Sequence, residues 1–249
     1  MKKCKLCQLE KPLIKKSHII PDLFYREAGA YNDKHFIHKI ETQNFLKNKS
    51  FSYIPTGEYE GGILCETCEN NILGGDLETY GGKVLFGGLP PENDIRVLYN
   101  NPEYTTFENV DYKKFKLFLL SILWRTAISK RKTFSESKIS ADNEEKLRKM
   151  IFDGIAGEEV NFPIFILSYL RDKTAPSDLI AQPIKSSTKD NDLITIMLAG
   201  FVFIFNITDN YKDVNAIKGL TLTPEGKFTI LHIPNGEAED FILKYANFK

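Results

Sequence analysis

Apolar residues Tyr112, Phe115, Leu119 and Ile122, followed by Thr126, recur at steps of three and four, the spacing of one helix face. Leu117, Phe118, Leu120 and Leu123 fill the other sides. A helix over 111–130 is therefore apolar almost all round and is expected to be buried at the centre of the fold. A second helix is predicted from Asp142, which has capping-box spacing to Glu145, as far as Gly154, a natural stop. Beyond residue 161 the pattern changes to that of strands. Residues 162–170 are apolar and fit a strand or a short helix. Residues 193–207 read as two strands meeting near Gly200, with Phe201, Phe203 and Phe205 alternating. Residues 219–223 and 227–233 flank Pro224-Glu225-Gly226 as a predicted hairpin, and 237–247 should form a closing helix.

The first 90 residues are different in kind. They are rich in turn signals and hold all four cysteines of the chain. A polar insertion at 28–62 carries Tyr31, Phe36, Phe45, Phe51, Tyr53 and Tyr59, an aromatic content that predicts short strands in an ordered loop. Gly87-Gly88-Leu89-Pro90-Pro91 marks a boundary. The expected domains are thus 1–90, a cysteine-bearing module with its inserted loop at 28–62, and 91–249, a helical and β-rich part.

At 249 residues the chain can bury a substantial core, and 27% charged with 42% hydrophobic residues is the balance of a folded domain. The net charge of zero gives no polyanion signal for the chain as a whole, but the charge is uneven. Residues 1–50 carry 11 Lys/Arg against 5 Asp/Glu, and residues 51–100 carry 2 against 8. A basic segment beside an acidic one suits a place where phosphate and a divalent cation meet, or simply two solvated faces. No secretory pattern follows the basic residues 1–5. The longest apolar stretch, 193–207, is shorter than the roughly 18–20 residues of a membrane span. A cytoplasmic protein without a membrane partner is expected.

In that compartment disulfides are rare and paired cysteines indicate metal or redox chemistry. Cys4-Lys5-Leu6-Cys7 and Cys65-Glu66-Thr67-Cys68 are two C-x-x-C turns. Each can aim two thiolates at one ion while its backbone amides offset their charge, and together they fill a tetrahedral zinc shell with no open position. The predicted Zn²⁺ site is therefore structural. A thioredoxin-like redox motif needs one such pair at a strand-to-helix junction, and two pairs fit it poorly.

Ser17-His18-Ile19-Ile20-Pro21 follows the first turn; Gly62-Ile63-Leu64 leads into the second, and Glu69-Asn70-Asn71 succeeds it. With Leu77-Glu78-Thr79-Tyr80 and Leu123-Trp124-Arg125, this order resembles the HNH endonuclease superfamily, and more narrowly a group of bacterial HNH-like proteins. The likeness is specific over 4–80 and loose over 111–150. It implies a zinc-bound treble-clef or ββα-like N-terminal module, which with the central buried helix and the C-terminal antiparallel β-rich part read from periodicity makes the expected fold α+β. It implies that His18 is a general base, a task suited to an imidazole. Glu69 takes the position of a catalytic-metal ligand, here for Mg²⁺ or Mn²⁺. Asn70 and Asn71 would orient water or phosphate. Lys16 would meet phosphate. Arg125 would meet phosphate or a buried carboxylate, the latter favoured because a buried guanidinium needs a counter-charge.

One position departs from the pattern. Strong HNH sites have Asp or His before the base, and this chain has Ser17, a weak ligand. Glu78 is the obvious supplement, but it lies about 13 Å from Glu69 along a straight α-helix, too far to share an ion; the pairs Gly74-Gly75 and Gly81-Gly82 argue against a straight, uninterrupted helix there. The resemblance thus implies a DNA or RNA substrate, with the C-terminal part serving a protein partner or homo-oligomer. Many stand-alone HNH-like proteins belong to defence or mobile-element systems. The alternative is a non-catalytic, zinc-stabilised binding module for nucleic acid, nucleotide or protein.

Overall fold

The computed structural model describes residues 2–39, 52–88, 95–188, 191–208, 211 and 219–247. Phe45, Phe51 and the 89–91 part of the predicted boundary lie outside the described residues.

The N-terminal elements are small. β1 (Lys2–Lys3) and β2 (Glu10–Lys11) pair antiparallel around the first cysteine turn. β3 (Ser17–His18) leads through Pro21 into α1 (Asp22–Glu27). Within the insertion, β4 (Ile37–Lys39) pairs with β5 (Ser52–Ile54), and β6 (Tyr59–Glu60) returns to pair with β3.

A helix begins at the second cysteine turn. Its first part, α2 (Thr67–Glu78), has the wide i→i+5 turns of a π-helix; its second, α3 (Thr79–Phe86), is an ordinary α-helix. Two glycines permit the wide turns. A Cβ on Gly74 would stand 3.2 Å from the Glu69 carbonyl oxygen, and one on Gly75 only 2.8 Å from that of Asn70. The Gly-Gly pair, expected to interrupt the helix, instead widens it.

Next come β7 (Arg96–Asn100), β8 (Tyr104–Glu108) and α4 (Tyr112–Ile128), the central helix, buried from Phe115 to Ile128. Its N-terminus is capped by Asp111, whose carboxylate accepts from the Lys114 N–H at 2.9 Å. α5 (Ala141–Asp153) is capped by Ser140, which accepts from the Asn143 N–H, and not by Asp142, which sits inside the first turn. Gly154, at φ 66°, ends α5 as expected.

α3 and α4 touch where a side chain is missing. A Cβ on Gly81 would fall 2.0 Å from a ring carbon of Phe118. Gly81→Ala is therefore expected to destabilise the protein by about 3 kcal/mol, overpacking outweighing the ~1 kcal/mol gained in helix propensity. Urea denaturation measures this. A variant as stable as wild type would mean that the two helices separate freely.

The remaining strands are β9 (Ile164–Ser168), β10 (Ile184–Ser187), β11 (Asp192–Leu198), β12 (Phe201–Asn206) and β13 (Phe228–His232). With β7 and β8 they form one seven-stranded sheet in the order β10-β11-β12-β9-β13-β8-β7. The Ala199-Gly200 turn, both residues at positive φ, joins β11 to β12. The sheet is mixed and not purely antiparallel, because β13 runs parallel to β9. The predicted hairpin also changes. Its turn exists, with Gly226 N–H donating to Thr223, but 219–223 contributes only an isolated bridge from Thr221 to Phe165. Phe228 finds better burial between β8 and β9, stacking on Phe107 at 4.8 Å.

Alternation along the strands gives the sheet two covered faces. Phe201, Phe203, Ile166 and Phe228 face the helices, where Phe24 of α1, Phe86 of α3 and Phe115 and Phe118 of α4 meet them. One apolar cluster thus runs from Cys4 to Ile230. On the other face Tyr169, Met197, Val202 and Ile233 pack with Ala238 and Tyr245 of α6 (Ala238–Asn247). Among the described residues no helix is long and apolar enough to cross a membrane.

Lys116 is buried on α4, its ammonium donating to the Tyr112 hydroxyl at 2.8 Å and to the Glu158 carbonyl. Burial pushes its pKa down to about 7, against the smaller upward pull of Glu159. An unfolded lysine titrates near 10.4. Between about pH 7 and 10 the unfolded chain therefore holds the extra proton, and this group makes stability rise with pH. Lys116→Met is expected to exceed wild type by a few kcal/mol below pH 7, with the gap closing towards pH 10. Denaturation at both ends of the window checks it; a constant gap would contradict it.

Candidate functional site

The sulfurs of Cys4, Cys7, Cys65 and Cys68 all lie within 4.8 Å of one another, and none is in a disulfide. They meet because the β1–β2 turn presents the first pair and the start of α2 presents the second. Backbone pairing locks the two together: Lys5 N–H donates to Ile63 O at 2.8 Å and Ile14 N–H to Leu64 O at 2.9 Å. The Cys65 N–H points at Cys4 Sγ, 3.3 Å away.

Burial pushes the Cys4 thiol up, but the N–H groups of Cys7, Cys65 and Leu6 outweigh it and leave it below its ordinary value. Burial raises Cys7 and Cys68 instead. Four thiolates this close repel one another unless a cation sits among them. Sulfurs bound to one zinc at about 2.3 Å stand about 3.8 Å apart; Cys7 Sγ and Cys65 Sγ are 4.0 Å apart. The cluster can hold a metal ion such as zinc.

A second convergence lies beside it. Glu69, one residue past Cys68, accepts from the Ser17 hydroxyl at 2.8 Å with Oε2 and from the His18 N–H at 3.1 Å with Oε1. On the other side of the same residue, Arg125 Nη1 donates to the His18 carbonyl at 3.1 Å and to Glu78 Oε1 at 2.7 Å. Arg125 is fully buried, so Glu78 supplies its counter-charge. The wide helix explains how both glutamates reach one strand. At about 4.4 residues per turn, nine residues make close to two turns and return to the same face. In an α-helix nine residues, two and a half turns, would leave the two glutamates on opposite faces; here Glu69 and Glu78 grip His18 through its N–H and, by way of Arg125, its C=O.

The rest of the hairpin is tied to the end of α4. Glu60 Oε2 accepts from Ser129 Oγ at 2.8 Å and from the Lys130 N–H at 2.9 Å. Arg131 pairs with Glu58 at 2.7 Å and donates to Tyr59 O at 2.8 Å. Thr56 lies 3.2 Å from His18 Nε2, and the ring is half-buried. Thr56, Glu58, Glu60, Ser129 and Arg131 went unnoticed in the sequence. Only the alternation of Glu58 and Glu60 about Tyr59, facing a basic run at 130–132, carried a signal.

The other expected residues are less engaged. Asn70 and Asn71 are exposed on α2. Lys16 is exposed, its ammonium 5.3 Å from the Tyr59 ring centre. Two surface depressions, one at 80, 109–114 and 224–225 and one at 2, 11–15 and 61–62, do not include His18, Glu69 or Arg125.

No family model, no curated protein and no solved structure matches this chain.

Proposed function

We propose that the protein is an HNH-like, metal-dependent endonuclease acting on DNA or RNA phosphodiester bonds. The observation that supports this reading is the contact of Glu69 with the Ser17 hydroxyl and the His18 backbone N–H, which sets the expected metal-binding carboxylate against the peptide of the expected base. The order of parts also suits a treble clef: a cysteine turn between two strands, the β3–β6 hairpin, then a helix opening on the second cysteine pair. Zn²⁺ on the four cysteines is structural, because a full thiolate shell leaves no place for substrate.

In this reading His18 takes a proton from water as the water oxygen attacks phosphorus, and the P–O bond to the leaving oxygen breaks. Each Glu69 oxygen has one hydrogen-bond donor, leaving capacity for one Mg²⁺ or Mn²⁺. Such an ion supplies Lewis-acid stabilisation of the phosphoryl charge. Ser17 orients the carboxylate rather than binding the ion. Arg125 is a positioning residue, since its guanidinium is spent on Glu78 and His18 O.

The same contacts favour a second reading. Both Glu69 oxygens hold the strand, so the carboxylate has a purely structural use, and a zinc-stabilised binding module needs nothing more. Cleavage of supercoiled plasmid, single-stranded DNA and RNA in Mg²⁺ and in Mn²⁺ separates the two. Wild type should cut at least one substrate, while His18→Ala and Glu69→Gln, folded and metal-loaded, should lose about 100-fold or more. Intact substrates with wild type in every condition, or full activity in His18→Ala, would sink the nuclease reading.

A further inference from the structure

Lys2 and Lys11 stand directly opposite each other in the β1–β2 pair. Residues opposed across an antiparallel pair share a face, and like charges there repel. The neighbouring pair, Lys3 and Glu10, on the other face, is complementary. The lysine face opens onto a depression of about 440 Å³ lined by Lys2, Lys11, Pro12, Leu13, Ile14, Lys15, Gly61 and Gly62, with three lysines and no carboxylate. None of the three is ion-paired among the described residues. Its rim is bare backbone at Gly61 and Gly62; Gly61 sits so close to Lys15 that a Cβ would be 2.6 Å from the Lys15 carbonyl.

We infer that this depression is a docking track for the phosphate backbone of a nucleic-acid strand. It rests on the proposed nuclease reading and gives its substrate a path. Lys15 is three residues before His18, at most about 11 Å along the chain, so a strand lying over Lys2, Lys11 and Lys15 continues to the imidazole within one or two nucleotides. A polyphosphate is the occupant that relieves the Lys2–Lys11 repulsion along an elongated, carboxylate-free surface. Its repeating charge also matches lysines placed on β1, on β2 and in the segment between β2 and β3. Lys2, Lys11 and Lys15 are three of the 11 basic residues among the first fifty.

Two variants test this, with fluorescence anisotropy of a labelled 30-nucleotide single strand and a duplex in Ca²⁺ buffer. Lys2→Ala/Lys11→Ala/Lys15→Ala should weaken binding about tenfold or more and reduce the slope of log affinity against log salt by about 2 to 3. Lys11→Glu should move two readouts in opposite directions: binding weakens, while the melting temperature of the free protein rises as a repulsive pair becomes an attractive one. A triple variant that binds as wild type, at unchanged salt slope, overturns the proposal, as does a wild type that binds anionic lipid vesicles and neither nucleic acid. If the triple variant does not fold, Lys11→Glu alone decides. Wild type that binds through these lysines without cutting defeats the nuclease reading and leaves the track. A triple variant that binds and cuts normally does the reverse.

Discussion

Cys65→Ser is expected to leave the N-terminal half unfolded. A metal held by four thiolates contributes on the order of 10 kcal/mol to the structure that binds it, comparable with the whole stability of a domain. The loss would not stay local. Cys65 lies just before the helix that carries Glu69 and Glu78, and Leu64 and Cys65 belong to the apolar cluster shared with Phe24, Phe118 and Phe203. The expected result is loss of amide protection at Ile14, Ile19 and Glu69 in hydrogen exchange, with the same pattern in wild type stripped by a strong chelator. Protection that persists in both would mean that the cysteines pack as ordinary core residues.

The second large effect is at Arg125. Arg125→Ala leaves Glu78 without its counter-charge and the His18 carbonyl without its donor, in a place water reaches poorly. Breaking one side of a buried pair costs about 3–5 kcal/mol. Arg125→Ala should therefore be among the most destabilising single changes in α4. Glu78→Gln, which keeps an acceptor for the guanidinium, should cost less than half as much. Equilibrium denaturation measures both. Equal, small effects would show that the Arg125–Glu78–His18 chain is not what fixes the strand.

The contrast between the two glutamates shows what the sequence carried and what it did not. Motif order grouped Ser17, His18, Glu69, Glu78 and Arg125 only through its likeness to the HNH-like pattern; no period or spacing did so by itself. Which face the two glutamates share was hidden in helix type. Reading 67–78 as an α-helix separates Glu69 from Glu78; the i→i+5 turns, which depend on the missing side chains of Gly74 and Gly75, bring them to one face. Periodicity found α4 and the β11–β12 pair, since each buries a strong local pattern, and start and stop signals found α5. It misplaced the partner of β13, because pairing depends on which strand offers Phe228 a ring to stack on, and Phe107 lies 121 positions earlier. Small polar tethers such as Ser129 to Glu60 carry no period at all.

Zinc K-edge absorption on protein purified without added metal tests most directly whether the four thiolates share one ion. One zinc per chain, with four sulfur neighbours at about 2.3 Å, is the expected result. Metal-free folded protein, or a zinc bound mainly by nitrogen and oxygen, would contradict it.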